Sequence, residues 1–409
     1  MKNLLLIKFS YVLLFLSFVH AILRLNDTSS FSAYRILMPV SLFVFFLAWK
    51  NAKIFFLGLL LLIIYNFIIS VIYGAPLNHF FILTLHYISI LNIFLITLFL
   101  YKKVGFEKLY NFLFYFIVLS LLLASLEIIF QFRLPNTAIY FDGSVSAFNW
   151  NQNELGTILL SFIPLLLVYS RRLVKISLMI IILYIVYTND SKLVLIGMLL
   201  AIIIYNLKKN FLEYNKYIKI YFLFFTLIFF ISLFFIPWDD IYVSFRDYDI
   251  SLYTLVGLPI SHILTLTPFP DIGGSDTTRA NAIIYALTEF SNSHFLGIGA
   301  GNTLSMLEKP QYMLKTAKSI HNLPTQLVVE NGIWVLFIYL FIFYKFIHLL
   351  FKQNLNKIEL TTLVAIPSIF IGSMGSAIGI FSDYFFFSSI FLISIHYTKQ
   401  GKEKTCKIT

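Results

Sequence analysis

Twelve apolar runs of about 15–25 residues follow one another along this chain, each closed by a short polar break. They lie near 4–23, 36–49, 54–73, 80–101, 111–131, 155–170, 173–188, 193–207, 218–237, 326–351, 359–380 and 384–397. At 1.5 Å rise per residue, about 20 residues cross a hydrocarbon core about 30 Å thick. The expected fold is therefore an all-α polytopic membrane protein of about 12 transmembrane helices. The first run, Leu4 to Leu23, is longer than a signal-peptide core and is read as a retained first span. One long polar stretch, 238–325, interrupts the series and forms one large loop.

Composition agrees. Of 409 residues, 59% are hydrophobic and 12% charged, with a mean hydropathy of +0.87, whereas a soluble domain carries about 25% charged residues. A single cysteine, Cys406, excludes a disulfide framework and a cysteine metal site. The eight histidines show no ligand spacing, so neither a metal nor a cofactor is expected. The net charge of +11 does not point to nucleic acid, because its placement has a better explanation. With the N-terminus cytoplasmic, roughly two-thirds of the basic residues fall in short inner segments. Examples are Lys102, Lys103 and Lys108; Arg171, Arg172 and Lys175; Lys208, Lys209, Lys216 and Lys219; and Lys399, Lys402, Lys404 and Lys407. An odd number of spans would break that alternation, so both termini are placed inside. The resulting organisation is 1–237 for spans one to nine, 238–325 for a large outer loop with short helices, 326–397 for spans ten to twelve, and 398–409 for a cytoplasmic tail.

Few polar residues interrupt the apolar runs. His86, Asn92 and Glu127 are functional candidates on that ground, against the plainer reading of helix–helix hydrogen bonds. On the outer side, Phe148-Asn149-Trp150-Asn151-Gln152-Asn153-Glu154-Leu155-Gly156 meets the sixth span. Asn149, Asn153 and Glu154 suit hydrogen bonding to sugar hydroxyls; the alternative is a helix cap at Asn153 with an interfacial Trp150. The turn Asn189-Asp190-Ser191-Lys192 puts a cation where the charge bias disfavours one. Lys192 is a phosphate ligand, or it snorkels or pairs with Asp190.

The long loop carries the strongest signal. Ser275 to Phe290 has helix-starting chemistry, with Ser275 or Asp276 as N-cap and Ile283, Ile284 and Leu287 at helical spacing. Arg279 falls in the first turn, where the helix dipole disfavours a cation unless an anion binds there; the alternative is a pair with Asp276. Gly297-Ile298-Gly299-Ala300-Gly301 follows as a tight turn; its spacing is wrong for a dinucleotide fingerprint. His321-Asn322-Leu323-Pro324 then opens the tenth span, proline in a first turn being a start signal, and Glu330-Asn331-Gly332 follows inside it. A cation and an imidazole on one external loop suit enzymatic work on an anionic, lipid-linked substrate.

The order of a loop arginine opening a helix, a Gly-x-Gly-x-Gly turn and then His-Asn…Glu-x-Gly running into a span resembles the O-antigen polymerase and O-antigen ligase superfamily of bacterial surface-polysaccharide assembly. The resemblance covers about Thr277 to Phe341, extended by 148–156 and 189–192. Where members of that family often carry arginine in the short turn, this chain has Lys192, which keeps the charge but loses bidentate phosphate binding. The resemblance implies a GT-C-like fold in the bacterial inner membrane with its active site on the periplasmic face. It implies a donor glycan on undecaprenyl pyrophosphate, His321 as general base, Arg279 on the lipid pyrophosphate, and Lys192, Asn322, Asn149, Asn153 and Glu154 as substrate ligands. Transfer would invert the anomeric centre without a metal. A flippase and a chain-length regulator of the same pathway are the implied partners. Polymerase is the favoured activity and ligase the runner-up. A flippase for lipid-linked oligosaccharide is third, since no two related halves are visible.

Overall fold

The computed structural model describes residues 2–19, 22–24, 32–48, 52–137, 144–149, 152–189, 191–209, 242–245, 248–251, 268, 275–307, 320 and 322–373. Eight helices open the chain: α1 (Lys2–Phe18), α2 (Ala33–Ala48), α3 (Ala52–Ile72), α4 (Leu77–Val104), α5 (Phe106–Phe130), α6 (Gln152–Tyr169), α7 (Arg172–Thr188) and α8 (Lys192–Leu207). A short antiparallel hairpin of β1 (Tyr242–Phe245) and β2 (Tyr248–Ser251) follows, with Val243 opposite Ile250. Then come α9 (Ser275–Asn292), α10 (Asn302–Leu307), α11 (Leu323–Asn331), α12 (Ile333–Phe351) and α13 (Lys357–Ser373). The first eight apolar runs thus fold as eight separate helices. The ninth and twelfth, 218–237 and 384–397, lie outside the described residues.

Among the described residues, four helices are long and apolar enough to cross a membrane: α4, α5, α6 and α12. Their surroundings differ sharply. From Gln152 to Leu167 every residue of α6 except Asn153 is buried, whereas α12 leaves Trp334, Phe337, Ile338, Phe341 and Phe343 about half or more exposed. Apolar side chains open along a whole helix would be a liability in water. They are the ordinary lipid-facing surface of a membrane helix.

The tenth apolar run departs from the single helix expected over 326–351. It divides at Gly332, which adopts φ +81°, into the short helix α11 and the apolar α12. A left-handed backbone at that point is readily adopted only by glycine. The expected start is confirmed locally: the Asn322 side chain accepts from Thr325 N at 3.1 Å, and Pro324 stands in the first turn. Glu330 therefore lies ahead of the membrane-crossing helix rather than within it.

The chain forms two compact units, one of residues 1–65, 81–205 and 345–409 and another of residues 66–80 and 206–344. In the first, α6 is sheathed by α8 and α13. A Cβ on Gly197 would stand 2.8 Å from Leu160 Cδ2 and 3.0 Å from Ser368 O, so the small residue sets how closely α8 approaches. The start of α13 is a reciprocal cap: Asn356 Oδ1 accepts from Glu359 N, Glu359 Oε2 accepts from Asn356 N, and Lys352 Nζ donates to Glu359 Oε1. Asn92 is an interhelical strut, accepting from Ser41 Oγ at 2.7 Å and donating to the Tyr34 hydroxyl at 3.1 Å. Arg35 Nη2 lies 3.4 Å from His86 Nδ1 between the same helices, α2 and α4. His86 and Asn92 thus fit the helix–helix reading of intramembrane polar residues.

In the second unit, Ala282, Ala286 and Phe290 of α9 form a core with Ile298, Met306, Leu307, Ile320 and Val329. The alanines recur at helical spacing, so α9 presents a narrow, small-residue face to α11. The hairpin was not anticipated in a loop expected to hold short helices. Its two segments, Tyr242-Val243-Ser244-Phe245 and Tyr248-Asp249-Ile250-Ser251, two residues apart in the sequence, are nonetheless a strand signal.

Candidate functional site

Within the second unit, α9 and α11 pack on one shared core. Both C-terminal ends are tied to one place: Ile298 N donates to Val329 O (2.9 Å), and Ile333 N, just past α11, donates to Phe295 O (2.9 Å), just past α9. The shared core joins Ala282, Ala286 and Phe290 of α9 to Ile320 and Val329. A helix N-terminus, with its partial positive charge and free N–H groups, favours a bound anion. Arg279 is in the first turn and a half of α9, and Asn322 caps α11. His321 lies outside the described residues; its neighbours Ile320 (buried) and Asn322 (half-buried) are described.

The glycine turn that links these helices is a close-approach device. Gly297, Gly299 and Gly301 all adopt positive φ, at +90°, +90° and +79°. A Cβ on Gly297 would stand 2.6 Å from Gly332 N, on Gly299 2.6 Å from Ser70 Cα, and on Gly301 2.7 Å from His79 O. Each glycine backs directly onto a different stretch of main chain. The turn thereby joins α11 to the end of α3 and the start of α4.

Polar side chains fill in behind it. Glu330 is fully buried, and its Oε1 accepts from Thr303 Oγ1 and from Gln326 Nε2 (3.1 Å). Gln326 Nε2 also reaches Thr303 Oγ1 at 3.3 Å. The amides of Gly301 and Thr303 lie close enough to stabilise charge on this carboxyl. Its Oε2 is buried and completes no hydrogen bond among the described residues. Burial pushes its pKa up to about 7, outweighing the lowering by Thr303, Gln326 and the two amides. Asn66 Nδ2 donates to Asn331 Oδ1 (2.9 Å), and His79 Nδ1 meets Ser305 Oγ at 3.0 Å.

The first unit contains a second polar centre, where three segments converge. The buried Glu127, near the end of α5, accepts through Oε2 from Ser146 N (2.9 Å), Ala147 N (3.0 Å) and Arg133 Nη1 (3.4 Å). Asn189 clamps the same loop, accepting from Val145 N at 2.8 Å and donating to Val145 O at 3.0 Å. A Cβ on Gly156 would stand 3.3 Å from Ser191 Oγ, so α6 and the start of α8 nearly touch. The segments 148–156 and 189–192, singled out separately in the sequence, are therefore brought together at Gly156 and Ser191.

Their individual residues take distinct places. Asn149 is buried and donates through Nδ2 to Ser146 O at 3.2 Å, bracing its own turn. Asn153 is exposed. Because α6 begins at Gln152, Asn153 lies inside the first turn rather than at the cap. Glu154 is buried, and Lys192 is the exposed first residue of α8. Trp150, Asn151 and Asp190 lie outside the described residues. Sequence reading missed Ser70, His79, Thr303 and Gln326, since none stands in a recognisable motif. It noted Asn189 only as part of a turn.

No family model matches this sequence, and no curated protein matches it.

Proposed function

We propose that this chain is an O-antigen polymerase, a glycosyltransferase of bacterial surface-polysaccharide assembly. It would span the inner membrane about twelve times, with both termini cytoplasmic and a GT-C-like arrangement. It takes the growing glycan from undecaprenyl pyrophosphate and transfers it to the non-reducing end of a new lipid-linked repeat unit on the periplasmic side. The single observation that supports this reading is the packing of α9 and α11 on one core, with their C-terminal ends tied together. Arg279 is on the first of these helices, and the cap beside His321 opens the second. Without that pairing, Arg279 and His321 are two unrelated residues 42 positions apart in the sequence.

The chemistry follows from the groups. The bond between the anomeric carbon and the pyrophosphate oxygen breaks, and its electron pair leaves on that oxygen. Arg279, at the start of α9, stabilises this charge as it develops. The acceptor hydroxyl oxygen attacks from the opposite face, inverting the anomeric centre, and passes its proton to His321, an imidazole suited to that task near neutrality. Asn322 fixes the helix end beside the base. In the first unit, Lys192, Asn149, Asn153 and Glu154 belong to the segment assigned to the glycan and its phosphates. Asn149 contributes there by bracing the turn.

Deleting the gene tests the reading by electrophoresis of surface glycolipids. The expected pattern is lipid A–core capped with a single repeat, because ligation continues while polymerisation stops. A plasmid copy carrying Arg279→Ala should give the same pattern at normal membrane abundance, since losing one charge-stabilising donor costs about 3–4 kcal/mol of barrier. Bare core with long chains stranded on the carrier would transfer the assignment to a ligase. An unchanged ladder would refute both.

A further inference from the structure

We propose that Glu330 is a positioning residue of this site, holding α11 and the cap beside His321 in place as a neutral carboxylic acid rather than as a carboxylate. The proposal rests on the reading of His321 as the general base, and it adds a proton-dependent support for that base. Gln326 and Glu330, four residues apart, form a polar stripe on one face of α11, the helix that Asn322 caps. Glu330 stands at the far end of that stripe, fully buried, and is thus placed to act through the helix and not on a substrate.

The geometry carries the argument. With only nine residues, α11 is too short to hold its position by helix propensity alone. Its anchors are the main-chain contacts of the glycine turn and the Glu330–Thr303–Gln326 cluster, which ties it to α10. Both side-chain hydrogen bonds converge on Oε1, and Oε2 is buried with no hydrogen bond among the described residues. A buried carboxylate oxygen without a donor is costly, and such a group keeps its proton instead. On the elements packed around it, the titratable side chains described are Tyr285 and Glu289 of α9 and His79 at the start of α4. None of these sets the ionisation of Glu330, which is governed by burial against Thr303, Gln326 and two amides. Ionisation puts charge on a carboxyl whose buried Oε2 completes no hydrogen bond among the described residues, which draws water into the contact between α11 and the turn.

The sign for stability follows. A carboxyl whose folded pKa is raised from 4.5 to about 7 contributes stability that is complete below 4.5 and is lost as pH rises through about 7. The activity consequence is an alkaline limb in the pH profile, opposite in direction to the acid limb of a histidine base.

Three readouts on the detergent-purified full chain test this. In infrared difference spectra between pH 6 and pH 8, wild type should lose a protonated-carboxyl band that Glu330→Gln lacks. The unfolding temperature of wild type should fall over that range by several degrees relative to Glu330→Gln, which mimics the neutral acid. In transfer assays, Glu330→Gln should hold its rate above pH 7 where wild type declines, whereas Glu330→Ala should lose at least about tenfold in kcat at pH 6 with little change in donor KM. If the band and the pH dependence of unfolding are the same in wild type and Glu330→Gln, the neutral acid is refuted. If they differ as expected but the alkaline limb persists in Glu330→Gln, the positioning role is refuted. Should wild type transfer no glycan at all, the proposed function fails, and the first two readouts still decide the protonation state.

Discussion

His321→Ala is expected to lower glycan transfer by about two to four decades, the range for a lost general base. The expectation has a specific shape. On the proposed reading the donor is held chiefly by its pyrophosphate at Arg279, so its affinity should survive the substitution. Turnover alone should fall. Steady-state kinetics on lipid-linked donor separate the two, because removing a group that acts in the transition state lowers kcat and kcat/KM together. A mutant that instead fails to bind donor would make His321 a phosphate ligand and reverse the assigned roles.

Gly299→Ala is expected to cost at least about 3 kcal/mol and to prevent the second unit from assembling normally, a loss large enough to be diagnostic. Two effects add. A non-glycine residue at φ +90° carries backbone strain of about 1–3 kcal/mol. The new methyl would also stand 2.6 Å from Ser70 Cα and 2.7 Å from Ser70 N, atoms of a helix backbone that cannot rotate away. Gly74→Ala is the matched control, because its φ of +66° imposes strain while nothing lies within 4 Å of the added carbon. Thermal unfolding of the two purified variants should differ by the overpacking contribution. Equal unfolding temperatures would show that the turn does not pack against α3 as closely as described.

The contrast between these two positions also explains what could be read from the sequence. Helices α1 to α8 were legible because lipid solvation writes itself locally, as runs of apolar residues about as long as a bilayer is thick. The start of α11 was legible for a similar reason: Asn322 and Pro324 act on the backbone of their own turn. The glycine turn was visible only as a turn. That Gly299 backs onto Ser70 and Gly301 onto His79 depends on chain more than 200 residues away, and nothing in the local pattern encodes it. Asn189 is a parallel case: it looks like any turn residue until its side chain is seen bonding both main-chain groups of Val145. The break at Gly332 was masked by the apolar residues on either side, which made 326–351 read as one span although Glu330-Asn331-Gly332 stood within it.

The most direct test of the central claim uses the purified chain alone. Full-length protein in detergent, given undecaprenyl-pyrophosphate-linked repeat units from the native pathway, should convert them into a ladder of longer lipid-linked products on electrophoresis. Released undecaprenyl pyrophosphate should match each linkage formed. A ladder that appears with the wild type and is absent with Arg279→Ala is the result this account predicts. Repeat units that remain at their original length with active, folded wild-type protein, in the presence of donor and acceptor alike, would contradict it.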